Sequence, residues 1–405
     1  MNKLMLRGAL CLGLAIATVG TGAYMTSEKL GSHSHDSGTA LERIQNSPQY
    51  HSGRFHNKKQ PAMAGLFEAS WQWLKQSQID KKPAGQVPLE TISTEDLSAL
   101  NKNEDVLYRL GHSSILLQLD GKLWLTDPVF SERASPFSFM GPKRFHPSPL
   151  SIDSLPAIEG VILSHNHYDH MDKHSIKALI GKVKHFYVPL GLGADLQAWG
   201  VDKQRISELD WWQSVEAGSV RLTATPSQHF SGRSLSDRDK SLWASWVIQS
   251  QHSKIFFSGD SGYFDGFKEI GERLGPFDIS LMENGAYNEL WQGVHMMPEE
   301  SVQAHIDVRA QRLLPIHNGT FDLAMHAWYE PFERLLQSAA QHGVEVLSPA
   351  MGQKISIKNS EAKDTARWWR ALIQEGQGKQ AKAAPASTHT DTNPSATAAR
   401  AISAK

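Results

Sequence analysis

The chain is poor in three features that would each have directed its reading. Cys11 is the only cysteine in 405 residues, so no disulfide forms within the chain. Lys and Arg number 41 against 42 Asp and Glu, a net charge of −1. No overall basic field therefore draws the protein to nucleic acid, and no nucleic-acid partner is expected. There is also no GxSxG elbow and no glycine-rich phosphate loop, which removes the usual frames for a serine nucleophile and a nucleotide cradle. What remains is 40% hydrophobic and 20% charged, enough for a sizeable core in one large domain or two ordinary ones.

The two ends read differently from the middle. Lys3 and Arg7 precede an apolar run from Gly8 to Met25, and Glu28 and Lys29 restore polarity, so residues 1–30 are expected to be a signal peptide or an N-terminal membrane anchor. Small residues at Thr21, Gly22 and Ala23 offer a cleavage point. Either outcome exports the remainder of the chain, to the periplasm or to the membrane surface. Residues 31–60 are polar and predict a linker, while 376–405, rich in Ala, Lys, Ser and Thr without apolar periodicity, predict a disordered tail. One folded domain is left, over 61–375.

Within it, His165, Asn166, His167, Tyr168, Asp169 and His170 form one run directly after the apolar Val161, Ile162 and Leu163. Three imidazoles and a carboxylate in six residues exceed what a solvated loop needs, and these are ligand types that suit zinc or another first-row divalent ion. If the apolar stretch is a strand ending at Ser164, extended backbone sends His165 and His167 to the same side, where they can grip one ion. Asp169 and His170 lie past a turn, at a neighbouring position. Further candidates stand after other strand-like runs: His229 after Val220–Thr225, Asp260 after Ile255–Phe257, and His317 after Leu313–Ile316. Asp105–Val129 reads as two strands joined at Asp120-Gly121, and helices are predicted over 173–180, 264–274 and 298–308.

The HxHxDH run and its downstream His, Asp and His resemble the signature of the metallo-β-lactamase superfamily. That resemblance implies an α/β fold, an αββα sandwich with metals at one edge between its sheets. It further implies that His165, His167 and His229 hold a first zinc, that Asp169, His170 and His317 hold a second, and that Asp260 bridges the two. Two cations roughly 3.5–4 Å apart lower the pKa of a shared water towards ~7 and stabilise negative charge on an attacked phosphoryl or carbonyl group. Metal-bound hydroxide is then the expected nucleophile, with two zinc ions, or other divalent first-row metals, as cofactors.

A narrower resemblance rests on GHSSILLQLDGKLWLTDPVFS, SHNHYDHMD, PSQHFSGR, GDSGYF, GAYN and IHNGTF. These segments are similar to those of N-acylphosphatidylethanolamine-hydrolysing phospholipase D and its bacterial relatives. The expectation is a phosphodiesterase acting on such phospholipids or another phosphodiester at a membrane surface, possible as an oligomer. Asp169 is expected to double as ligand and orienter or general base, and His295 to meet the phosphate or protonate the leaving alkoxide. Asp127 is expected to hydrogen-bond a ligand imidazole, and Arg233 to grip a phosphate. Phe137, Phe139, Met140, Trp71, Trp73, Trp291, Met296 and Met297 are candidates for an apolar substrate groove. The alternatives are a lactonase of the same superfamily and a non-catalytic metal-binding envelope protein.

Overall fold

The computed structural model describes residues 38–61, 80–359 and 361–383. The apolar N-terminal run, Trp71 and Trp73 lie outside these. After a short helix over Gly38–Gln45 comes a two-stranded hairpin, β1 (Tyr50–His51) with β2 (Arg54–Phe55). Then come β3 (Val106–Gly111), β4 (Ser114–Leu119), β5 (Lys122–Thr126), β6 (Ile158–Ile162), β7 (Val183–Pro189) and β8 (Ile206–Leu209). A second set comprises β9 (Ser214–Ala217), β10 (Val220–Thr225), β11 (Ser245–Gln249), β12 (Lys254–Phe257), β13 (Phe277–Glu283), β14 (Ala310–Ile316) and β15 (Glu345–Val346). Finally β16 (Lys354–Ser356) returns to pair with β3, giving two seven-stranded sheets of order β16-β3-β4-β5-β6-β7-β8 and β15-β14-β13-β12-β11-β10-β9.

Strand alternation dictates the layers. Ile115, Leu117 and Leu119 of β4 face inward and share a core with Trp246, Ile255, Phe257 and Leu281 of the opposite sheet. Leu116, between them, faces outward with Val161 and Phe186 onto Ile176 and Leu179 of the helix Lys173–Leu179. On the far side, Phe256, Met282 and Leu313 pack against Phe267 and Ile270 of the helix Gly266–Leu274, Val302 of Pro298–Asp307 and Leu335 of Glu330–His342. Helices therefore cover both outer faces, and the αββα sandwich is the observed architecture. The strands β5 to β8 run parallel, as do β12 to β15, so several carboxyl ends gather at one edge.

Three expectations change. The Asp120-Gly121 turn joins β4 to β5 with both residues at positive φ (49° and 73°), but the stretch before it is two strands, broken at His112 (φ 53°). The stretch 31–60 is no simple linker: 38–45 is helical, and Phe55 of the hairpin is 1% exposed in the inter-sheet core, a burial contributing about 2–3 kcal/mol. The boundary at 376 also falls inside a helix, Trp369–Ala383, which docks through buried Trp369 stacked on Phe332 at 4.6 Å. Single-sequence composition missed both because a few anchoring aromatics outweigh a polar average. Among the described residues no helix is long and apolar enough to cross a membrane.

Candidate metal centre

The run after β6 is a tight turn between a buried strand and a capped helix. The carbonyl of His167 accepts from the backbone N–H groups of His170 and Met171, at 3.1 and 2.8 Å. Asp172 caps the helix Lys173–Leu179 by accepting from the His174 N–H. This geometry turns His165 and His167 one way and Asp169 and His170 the other. Nε2 of His165 lies 2.8 Å from Nδ1 of His167, and Nε2 of His229, just past β10, lies 3.2 Å from the same atom. Asp260, after β12, sits between the groups: its Oδ2 is 3.9 and 3.8 Å from Nε2 of His165 and His229, and 3.1 and 3.0 Å from Nε2 of His170 and His317. Nε2 of His317, after β14, is also 3.2 Å from Oδ2 of Asp169.

The donor set fits divalent cations, and the outer nitrogens show why. His229 Nδ1 donates to the Val294 carbonyl (2.9 Å) and His170 Nδ1 to Oδ2 of Asp127 (2.7 Å). The Ser164 hydroxyl donates to Asp127 and so accepts from Nδ1 of His165. With the outer nitrogens occupied as donors, Nε2 of His165, His170 and His229 faces inward at the other imidazoles and at carboxylate oxygens, where a cation or, on His170, a proton must sit between them. Nε2 of His170 and Oδ1 of Asp260 are buried without any hydrogen-bond partner. Only positive charge reconciles such convergent acceptors.

The electrostatics separate the two groups. Burial, reinforced by neighbouring imidazoles, holds His165 well below the ordinary histidine range; burial does the same to His229, and to His167, which falls to about 4. Burial also opposes charge on His170 and His317, but Asp260 and Asp169 outweigh it, driving His170 well above its ordinary value and His317 up to about 10. Burial would raise Asp260 and Asp169; the adjacent His170, with His317, pulls both well below the carboxylate range. A negative well that collects protons is also one that collects dications.

Asp127 lies where the sequence reading put it, behind His170, with Oδ1 accepting from the Ser164 N–H at 2.7 Å. His295 joins the centre, one ring nitrogen within 4.8 Å of the ligand atoms of His229 and Asp260. Arg233 requires correction. It is 7% exposed, its Nη1 donates to the carbonyls of Asn166 and Met171 at 2.7 and 2.8 Å, and its guanidinium lies 4.1 Å from the Tyr168 ring centre. It braces the metal-binding turn rather than presenting itself to a phosphate. Of the groove candidates, Met296 is core, whereas Phe137, Phe139 and Met140 are exposed on one loop.

The sequence reading missed three supports. His112 lies at the end of β3, with Nε2 2.9 Å from Oδ2 of Asp169, and belongs with Asp169, His170 and His317 as a possible ligand group. It stands just beyond a strand, the signal that found His229 and His317, but the merged reading of β3 and β4 hid that strand end. Asn57, from the expected linker, clamps His229 by donating to its carbonyl (2.8 Å) and accepting from its N–H (3.1 Å). Gly262 lets the 293–296 segment approach, since a Cβ there would lie 2.3 Å from the Gly293 backbone.

Comparison with known proteins finds relatives of this chain. A family description of the β-lactamase superfamily domain matches residues 124–318. An uncharacterized protein of Mycobacterium tuberculosis is 39% identical over 90% of this chain and 100% of its own length. An N-acyl-phosphatidylethanolamine-hydrolyzing phospholipase D of Caenorhabditis elegans is 36% identical over 62% of this chain and 73% of its own length. Among solved structures, an isothiocyanate hydrolase from Delia radicum gut bacteria aligns with a TM-score of 0.49 at 21% identity, over 62% of this chain and 98% of its own.

Proposed function

The chain belongs to the metallo-β-lactamase superfamily, as a hydrolase with phospholipase D relatives, and from that premise we propose a binuclear zinc-dependent phosphodiesterase acting on N-acylphosphatidylethanolamine-like phospholipids. The observation that carries this reading is the carboxylate of Asp260 set between a histidine trio and a second His/Asp group. Zinc suits this mixed imidazole and carboxylate set. Two cations held there would supply an activated water and charge stabilisation at a phosphoryl group. The substrate class comes from the relative in Caenorhabditis elegans.

The chain's own residues divide the remaining work. The Asp169 side chain is 15% exposed against 2% for Asp260, so Asp169 is the carboxylate an incoming water can reach. Held through Oδ2 by His112 and His317, it orients that water and takes its proton. His295, 14% exposed at its side chain, meets the opposite end of the diester and returns a proton to the leaving alkoxide. The water oxygen joins phosphorus as the bond to the alcohol breaks, leaving a phosphomonoester lipid and an alcohol. Export by residues 1–30 to the periplasm or the membrane surface belongs to the same proposal, because it brings the enzyme to lipid.

The test combines metal analysis of the purified protein with hydrolysis of N-acylphosphatidylethanolamine, bis-p-nitrophenyl phosphate and a lactone, run in isotopically labelled water. Two metals per chain and one labelled oxygen in the phosphate product support the proposal. Efficient lactone opening with phosphodiesters untouched would replace it by the lactonase reading.

A further inference from the structure

Glu283 is a carboxylate that neither the ligand scheme nor the proposed chemistry uses. It ends β13, is fully buried, and faces the same edge of the sandwich as the metal ligands. Its Oε1 accepts from the Gly285 N–H at 3.2 Å and lies 3.3 Å from Nδ1 of His295, while Oε2 accepts from the Met296 N–H at 3.0 Å. No lysine or arginine pairs with it among the described ion pairs. A buried carboxylate without a cation is costly unless nearly all its lone pairs are used, and here two of three donors come from the segment carrying His295.

That segment is fixed from its other side as well. Gln228 donates to the Gly293 carbonyl at 3.1 Å, and His229 donates to the Val294 carbonyl. The ring of His295 stands 5.1 Å from that of His229 and 5.3 Å from that of His317, centre to centre. Its position beside the candidate ligands is thus set by His229 on one side and by Glu283 on the other. Backbone N–H groups point at both Glu283 oxygens, and the His295 Nδ1 faces Oε1 at hydrogen-bond distance, the arrangement of an imidazole N–H donating to a carboxylate. Nε2 is then the nitrogen left for substrate.

We propose that Glu283 is a positioning residue for His295, fixing its ring orientation and its Nδ1–H tautomer so that Nε2 meets the leaving oxygen of the substrate. The role assigned to that oxygen rests on the phosphodiesterase reading; the orientation and tautomer do not. Such a partner is worth about 10–100-fold where it orients a working imidazole.

The experiment compares the full-length, metal-loaded protein with Glu283→Gln, His295→Ala and the double variant. Turnover is read on N-acylphosphatidylethanolamine, whose alkoxide leaves poorly, and on bis-p-nitrophenyl phosphate, whose phenolate leaves readily. Glu283→Gln is expected to lower kcat on the lipid by about 10–100-fold and on the aryl diester by several times less. The double variant is expected to be no slower than His295→Ala, because the pair acts as a unit. Equal losses on both substrates, losses that multiply, or reduced metal content in Glu283→Gln would each overturn the proposal. Nitrogen-15 histidine NMR supplies the readout that does not need turnover: His295 is expected as the Nδ1–H tautomer, shifting toward a mixture in Glu283→Gln. If the unaltered protein cleaves neither diester, the phosphodiesterase reading fails while this measurement still decides the pairing. If Glu283→Gln does not fold, a bare Nδ1 on His295 in the unaltered protein overturns it.

Discussion

The two halves of the candidate metal centre both draw ligands from the turn His165–His170 and each adds one histidine from a distant strand end, yet they obey different electrostatics. The half formed by His165, His167 and His229 is all imidazole, and the second nitrogens of His165 and His229 rest on neutral oxygens, the Ser164 hydroxyl and the Val294 carbonyl. The half formed by Asp169, His170 and His317 is rich in carboxylate, with buried Asp127 behind His170 and His112 on Asp169. Burial strips protons from the first half, whereas the carboxylates hold protons on His170 and His317 of the second. The difference teaches that burial and neighbouring imidazoles leave the first half with bare nitrogens, whereas the second gathers charge that a bound cation would have to share with protons.

The harshest way to break the contrast is to remove the carboxylate common to both halves. Asp260→Ala should abolish turnover, by at least about 10³-fold, and reduce metal content, because the mutual repulsion of two ions is left uncompensated. Elemental analysis with an activity assay decides; two metals per chain and near-normal turnover would sink the binuclear assignment.

Asp127→Asn sharpens it. Asp127 has φ 35°, a conformation asparagine tolerates, so the backbone should survive while the charge behind His170 is lost. Affinity for one ion is expected to fall by about 10–100-fold and affinity for the other to hold, as two separated steps in a chelator titration. A single shared weakening would mean that the halves are not independent.

The proton balance is a third probe. With His317 held up at about 10, loading the second half near pH 7 must displace protons, while His167 at about 4 has none to give. Raising the pH should therefore favour the second ion, by about tenfold per unit for each proton displaced, and leave the first nearly unchanged. Proton release during metal titration in weakly buffered solution checks the sign.

The smallest effect concerns the support beneath both halves. Arg233→Ala should lower stability by about 2–3 kcal/mol, since the carbonyls of Asn166 and Met171 lose a charged donor. Its KM for a diester should change little; a large rise in KM with unaltered thermal stability would restore Arg233 to the substrate.

The sequence by itself determined a clustered set of metal-ligand residue types on a mixed α/β chain, and its resemblance to the superfamily implied the αββα sandwich. Ligand types crowd into HNHYDH, and His229, Asp260 and His317 each stand just past an apolar run, which marks them as strand-end candidates; that they meet at one sheet edge is what the resemblance implied. Alternation also settled which face of β4 meets the opposite sheet. Only the tertiary structure decided what holds the ligands in place. His112 meets Asp169 across 57 positions, Asn57 reaches His229 across 172, and Arg233 turns back under Asn166 across 67. Periodicity says which way a side chain points, but not which distant loop arrives opposite it. A polar residue at the end of a strand has the same local signature whether it takes an ion, a backbone carbonyl or water. Burial and the partners brought in by packing choose among these, and that choice made Arg233 a brace and Glu283 a neighbour of His295.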